Sequence, residues 1–433
     1  MVQGYSFVVG LAESNGGGRV RAVWVTKSFL DYRLPVYEEL SRRFGGSFSL
    51  VFNADYVPDR CRTKARSVLG SRARGLQGER AFRWGPQQNG VANAGLRIPY
   101  QPGLVRAILE SEPEVLITDG FFQWTSAALW LRITRGIPHV MCYERTAHTE
   151  RNAQWYRTAY RKLAMRWIDV MCCNGTLCGE YVRSLGFPAD RITYGHMAAD
   201  VRGLQQSSAA VTPEQVSGLR AQHELEGLVF LFVGRFIPLK GIRELLTGWQ
   251  VFRKQSAQPA TLLLVGDGPQ REELMHYCRE RKIAGVRFAG AVDCDTVALY
   301  YKCVDALVMP TLEDNWSLVV PEAMACGLPI LCSRYNGCWP ELITPANGWV
   351  FDPLVSSDIV KVLTEALLFR TRLAQMGEVS RGIVNTHTAS DAATAIYEAT
   401  RLACRRKQAG RPCLSDVPAG AWVGLDHRPE EQD

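Results

Sequence analysis

LEDNWSLVVPEAMACGLP, residues 312–329, sets an acidic pair ahead of a turn and a second carboxylate, Glu322, inside an apolar run of Val319, Val320, Ala323, Met324 and Ala325. Pro321 lacks an N–H and is tolerated only in a first helical turn, so the spacing predicts a short helix beginning near Ser317. Ser317 is a suitable N-cap, and Gly327 followed by Pro329 gives the stop. Glu322 then lies in or near the first turn, and Asp314 lies on the loop before it, facing the same opening. A helix start gathers unsatisfied N–H groups and positive potential, which suits a phosphate. Carboxylates beside it accept hydroxyl hydrogen bonds from a sugar or ribose. The plainer alternative is an amphipathic helix with a solvated Glu322.

Outward from this stretch, short β-rich apolar runs alternate with helical patterns, the βαβ signature of parallel sheets covered by helices. In the first half, strands are expected at 21–26, 48–53, 114–120, 138–144 and 169–175, with helices over 34–45 and 149–167. Residues 203–217 are polar and without periodicity, and read as a linker. Beyond them the alternation restarts. Strands are expected at 228–234, 261–266, 286–290, 306–310 and 329–333, with helices over 240–254, 270–282 and 295–303. The chain therefore divides into an N-terminal domain over 1–205, a C-terminal domain over 206–385 and a terminal helix over 386–407. The polar 408–433 tail reads as disordered. Two such α/β domains imply a cleft between them, where ligands bind.

At 433 residues, with 47% apolar and 21% charged side chains, the composition is that of a soluble globular protein of more than one domain. The net charge of +7 is unevenly spread. Residues 59–83 hold eight Arg or Lys against Asp59 and Glu79, leaving the remainder near neutral. No apolar periodicity organises that segment, which reads as a basic loop able to meet one anionic surface; no nucleic-acid recognition motif accompanies it. The thirteen cysteines include no C-x-x-C pair and read as buried thiols of a reducing, cytoplasmic compartment; no metal site is expected. No secretory signal and no membrane span are expected either.

Two further loops join the opening stretch. VGRFIPLKG (233–241) leaves a strand through Gly234 and presents Arg235 and Lys240 ahead of a helix, the makings of a diphosphate clamp. VGDGPQREEL (265–274) is another strand–turn–helix, with Gly266 and Gly268 allowing close backbone approach. A dinucleotide-dependent oxidoreductase would need a G-x-G-x-x-G run after an early strand, and VGDGPQ lacks the third glycine.

With VGR…KG, VGDGP, LVMPT.ED and EAMACGLPIL in this order over about 230–352, the sequence resembles the retaining glycosyltransferases of family GT4, which have the GT-B fold. YRLPVYEEL and TLCGEYVRSLGFPADRI carry the likeness more faintly into the first half. The resemblance implies two Rossmann-like domains, a UDP- or GDP-linked sugar donor held by the C-terminal domain, a hydroxyl acceptor, and transfer with retention without metal or added cofactor. It implies that Arg235 and Lys240 hold the donor diphosphate, Glu322 the ribose hydroxyls, and Asp314 the donor sugar. The backbone of Trp316, Ser317, Leu318 and Val319 would meet phosphate, and the stretch around residues 289–292, with Gly290, the base.

The sequence departs from the family in three places. Asp314, with Glu313 beside it, stands where a glutamate is usual, so either Glu313 compensates for the shorter acid or the sugar preference changes. The glycine-rich loop after the first strand is missing, NGGG (15–18) lying before that strand. The family's N-domain histidine is best matched by His148, with Glu144 and Arg145 competing on the same loop. A sugar-nucleotide epimerase of the same fold, or a basic nucleotide-binding module without catalysis, are the alternatives. For a transferase with a lipid-linked acceptor, 59–83 is expected to touch the anionic cytoplasmic membrane face.

Overall fold

The computed structural model describes residues 20–84, 96–293 and 295–409; NGGG and most of the 408–433 tail lie outside them. Fifteen strands are present among the described residues. They are β1 (Ala22–Thr26), β2 (Phe48–Asn53), β3 (Ala73–Leu76), β4 (Arg80–Trp84), β5 (Leu96–Tyr100), β6 (Val115–Asp119), β7 (His139–Tyr143), β8 (Val170–Cys173) and β9 (Ile192–Tyr194) in the first half. The second half holds β10 (Leu228–Val233), β11 (Ala260–Val265), β12 (Val286–Gly290), β13 (Ala306–Met309), β14 (Ile330–Ser333) and β15 (Gly348–Phe351).

The first sheet runs β3-β2-β1-β6-β7-β8-β9 and the second β12-β11-β10-β13-β14-β15, both parallel throughout, while β4 and β5 form an antiparallel hairpin apart from either. AVWVT and ATLLLV are apolar on successive residues, not alternate ones, because both faces of such a sheet are covered; each of these strands is buried along its length. The expected pair of doubly wound α/β domains is present. Strand order reverses at β1/β6 in one sheet and β10/β13 in the other, and loops leaving the carboxyl ends at such points diverge and open a crevice. In the first domain Lys27 follows β1 and Asp119 closes β6, and in the second the loops carry Lys240 and Asp314.

Several local expectations are corrected. Residues 203–217 are no linker. Helix Val201–Ala209 is capped by Asp200, whose side chain accepts from the Gly203 amide, and helix Pro213–Gln222 is opened by a Thr212/Gln215 capping box. The 205/206 boundary thus falls inside a helix. The helix expected over 149–167 is shorter, Trp155–Ala164 with a 3-10 turn over Met165–Trp167. The terminal helix spans Ala389–Gln408 and packs on the first sheet, Ile396, Ala399 and Ala403 joining a cluster with Leu40, Phe48 and Val170.

The basic segment 59–83 is folded, not a loop. It forms helix Asp59–Leu69, then β3 and β4. Cys61, Ala65 and Leu69, one helical face, are buried. Arg60 and Lys64 reach Asp31 at 2.9 and 3.1 Å, Arg74 reaches Glu110 at 2.6 Å, and Arg72 donates to the Gly46 and Phe48 carbonyls. Among the described residues no helix is long and apolar enough to cross a membrane.

Candidate active site

The loop after β10 folds as a 3-10 turn, Pro238–Lys240, before helix Ile242–Gln255. Gly241 joins them at φ 66°, and a Cβ there would stand 2.0 Å from the Pro310 carbonyl oxygen. Only glycine allows that contact, which locks this loop against the one leaving β13. Leu312 N–H and Thr311 Oγ1 both donate to the Leu239 carbonyl, at 2.8 and 2.9 Å. Across the joined loops Lys240 Nζ meets Asp314 Oδ2 at 2.6 Å. The expected phosphate cation and the expected sugar-facing acid therefore occupy one another. Arg235 is exposed on the same loop.

Gly266 was expected to let backbone approach a ligand. The close approach is instead internal, since a Cβ would lie 1.9 Å from the Gly234 carbonyl oxygen; the Gly234 amide donates to the Val265 carbonyl at 3.0 Å and the Gly266 amide to the Gly290 carbonyl at 2.7 Å. Gly290, at φ 81°, faces open space.

The short helix is Val319–Ala325, with Leu318 at its N-cap. Ser317 is not the cap; its amide donates to Asn336 Oδ1 at 3.3 Å, and the Trp316 amide donates to Asp314 Oδ1 at 3.2 Å. Side chains thus already engage two of the four expected phosphate-binding amides. The Leu318 and Val319 amides have no partner among the described residues. Glu322 is partly buried, and the Tyr301 hydroxyl donates to its Oε2 at 2.9 Å. Burial raises its carboxyl to about 7, against which that hydrogen bond acts only in part. A carboxylate stripped of water and held by one phenol has acceptor capacity to spare.

From the opposite domain, His148 stacks on Tyr335 with centroids 4.3 Å apart, and its Nε2 meets the Leu312 carbonyl oxygen at 2.8 Å. A carbonyl only accepts, so Nε2 carries a proton and donates it to that bond. His139 and His196 are buried in the core, where desolvation lowers them to about 4 and about 3. Glu313 does not stand in for Asp314, because it pairs with Arg151 across the cleft at 3.0 Å. Arg145 turns to Glu150 at 3.5 Å, and Glu144 to the buried Arg33 at 3.6 Å. Burial raises the Glu144 carboxyl despite that guanidinium.

Groups that motif reading passed over complete the cleft. Asn174 Nδ2 donates to the Asn315 carbonyl at 2.9 Å, and Thr176 Oγ1 donates to Glu341 Oε1 at 2.7 Å, both between domains. Asp119 takes the Trp24 indole N–H at 3.0 Å on Oδ2. Its Oδ1, with Asn315 Oδ1, Trp316 Nε1, Asn336 Nδ2 and Glu341 Oε2, is buried without a hydrogen bond among the described residues. The asparagine-glycine strand end Asn174-Gly175 was the available signal; the rest follows only from strand order.

The chain belongs to the group 1 glycosyltransferases: the model described as Glycosyl transferases group 1 matches residues 219–382, and that of the Glycosyl transferase 4-like domain matches 31–196. O-antigen chain mannosyltransferase B of Escherichia coli is 28% identical over 176 residues, 40% of this chain and 45% of that protein. D-inositol 3-phosphate glycosyltransferase of Jonesia denitrificans is 29% identical over 189 residues, 41% of this chain and 44% of its own. The matched region thus spans less than half the length of these curated relatives. The fold is GT-B: Anabaena HepE in complex with UDP superposes with a TM-score of 0.67 at 14% identity, over 88% of this chain and 99% of that one. The same protein with UDP-glucose gives 0.65 at 15%, over 87% and 98%.

Proposed function

We propose that the protein is a retaining glycosyltransferase that moves a sugar from a nucleoside-diphosphate donor to a hydroxyl acceptor. One observation carries the reading. The Lys240–Asp314 pair lies at the strand-order reversal of the C-terminal sheet, and the neighbouring Leu312 carbonyl touches His148 of the other domain. Cation, acid and imidazole thus converge from three loops across a cleft. The UDP and UDP-glucose bound by HepE favour a uridine donor.

In this reading Arg235, Lys240 and the Leu318 and Val319 amides hold the diphosphate and offset its growing charge as the bond to the sugar breaks. Glu322 accepts the ribose hydroxyls, Gly290 lies toward the base, and Asp314 turns from Lys240 to the donor sugar. The acceptor oxygen bonds to the anomeric carbon on the face the diphosphate leaves, and its proton passes to the departing phosphate oxygen. His148 contacts the sugar from the acceptor side. No metal or added cofactor takes part, and the acceptor hydroxyl belongs to a lipid-linked sugar or a polysaccharide. The free thiols of the described cysteines fit a cytoplasmic setting.

A thermal-shift series with UDP, GDP, ADP and NAD tests the donor class. UDP or GDP should raise the melting temperature and NAD should not; stabilisation by NAD alone would overturn the reading. Product analysis with UDP-sugars, with and without acceptor, separates transfer from epimerisation.

A further inference from the structure

Among the described residues, two helices leave an apolar and basic face uncovered on the N-terminal domain. Helix Thr125–Arg135 joins β6 to β7 and helix Trp155–Ala164 joins β7 to β8, and these strands are neighbours in that order. Right-handed crossovers taken in one direction lay both helices on the same side of the sheet. Leu129, Ala164 and Met165 share one cluster beneath them. On the outer side Trp155 is 81% exposed, Ile133 54%, Leu163 50% and Trp130 48%. Arg135, Lys162 and Arg166 are exposed among them. Trp155, Ala159, Lys162, Leu163 and Arg166 recur at helical spacing as one stripe, opposite the buried Arg157, Arg161 and Ala164.

The charge on this face has one sign. Residues 151–168 hold five Arg or Lys and no Asp or Glu, and residues 120–143 hold no acid either. Large exposed aromatics interleaved with cations and free of acids match the interfacial zone of a negatively charged bilayer, where indole rings settle at headgroup depth. The segment with the greater basic count, 59–83, is poorly suited, because Arg60, Lys64 and Arg74 are engaged by Asp31 and Glu110.

We propose that the face formed by helices Thr125–Arg135 and Trp155–Ala164 docks the protein on an anionic membrane surface. Trp155, Trp130, Ile133 and Leu163 enter the headgroup layer, and Arg135, Lys162 and Arg166 meet the lipid charge. The cleft loop bearing His148 runs directly into Trp155, so docking turns the acceptor side of the cleft toward the bilayer. The inference is independent of the transfer chemistry, since lipid binding needs no sugar donor.

Co-sedimentation of the full chain with phosphatidylcholine vesicles, with and without phosphatidylglycerol, tests it. The parent should pellet with the anionic vesicles, release in high salt, and stay in solution with the neutral ones. Trp130→Ser with Trp155→Ser should lower recovery at least tenfold at an unchanged melting temperature, and Lys162→Glu should lower it independently. Arg60→Gln with Lys64→Gln should leave recovery as in the parent. Equal recovery from neutral and anionic vesicles overturns the proposal, as does full recovery of the double-tryptophan variant. A parent that ignores both vesicles but forms a dimer broken by Trp155→Ser assigns the face to a second copy, which also overturns it.

Discussion

Glu322 carries the most testable chemistry of any single side chain here. Its carboxyl ordinarily titrates near 4.5 and burial raises it to about 7, so the folded chain holds that proton more firmly than the unfolded one. The side chain's contribution to stability is therefore fully present below pH 4.5 and is lost as pH rises through about 7. Glu322→Gln cannot ionise and should melt above the parent at pH 8, by an amount worth about 1–3 kcal/mol, with the gap closing toward pH 4.5. It should also weaken UDP, because ribose hydroxyls lose a charged acceptor. Calorimetry of the parent near pH 7 in buffers of different ionisation enthalpy should report proton release on UDP binding beyond that of the variant. Arg235→Ala should weaken UDP by about 1.5–3 kcal/mol in the same instrument while leaving the melting temperature alone, since the side chain is exposed. Asp314→Asn should spare UDP binding and lower turnover. Arg235, Lys240, Asp314 and Glu322 were legible because each stands inside a short contiguous motif whose local geometry is set by its own Gly and Pro. Arg33, Asp119, Asn174, Tyr301 and Asn336 were not, because each meets its partners from a separate strand or helix, and only the sheet order brings them together.

The loop between β7 and helix Trp155–Ala164 is an element held by one buried ion pair. Glu150 on the loop meets Arg161 on the helix at 2.5 Å, both side chains almost wholly buried, and Arg145 approaches the other Glu150 oxygen at 3.5 Å. Glu150→Ala leaves a guanidinium without its partner in the interior and should cost about 3–5 kcal/mol in urea unfolding, far more than any rim pair. Arg151, whose guanidinium end is 41% exposed, and the less exposed Glu313 should show a smaller coupling, about 0.2–1 kcal/mol in a double-mutant cycle read by the same unfolding. Ten of the fifteen described strands were plain in the sequence, since continuous apolar runs fit sheets covered on both sides, whereas the short β3, β9 and β15 and the β4–β5 hairpin carry no such run. The two helices over 201–222 were missed because helix Pro213–Gln222 buries only Leu219, so the apolar period is absent while its capping box, Thr212 to Gln215, is present in the letters. Charge density hid the helix Asp59–Leu69 in the same way, its apolar face being just Cys61, Ala65 and Leu69.

Across the whole molecule, the chain builds one sheet, crosses to build the second, and returns through helix Ala389–Gln408 to cover the first. A chain stopped after residue 385 should expose the apolar surface that Ile396, Ala399 and Ala403 fill, bind a hydrophobic dye and aggregate. A soluble, sharply melting truncation would show the helix to be dispensable. The return also imposes an order on biosynthesis. The last strand of the first sheet is complete at Tyr194, yet its covering helix is translated almost two hundred residues later, a delay of about 10–40 s at cellular elongation rates. For that interval the nascent first domain emerges from the ribosome with the β6–β8 part of one sheet face bare. The second domain, whose strands and helices arrive together, can close first, so the half of the protein made later should be the half that folds earlier.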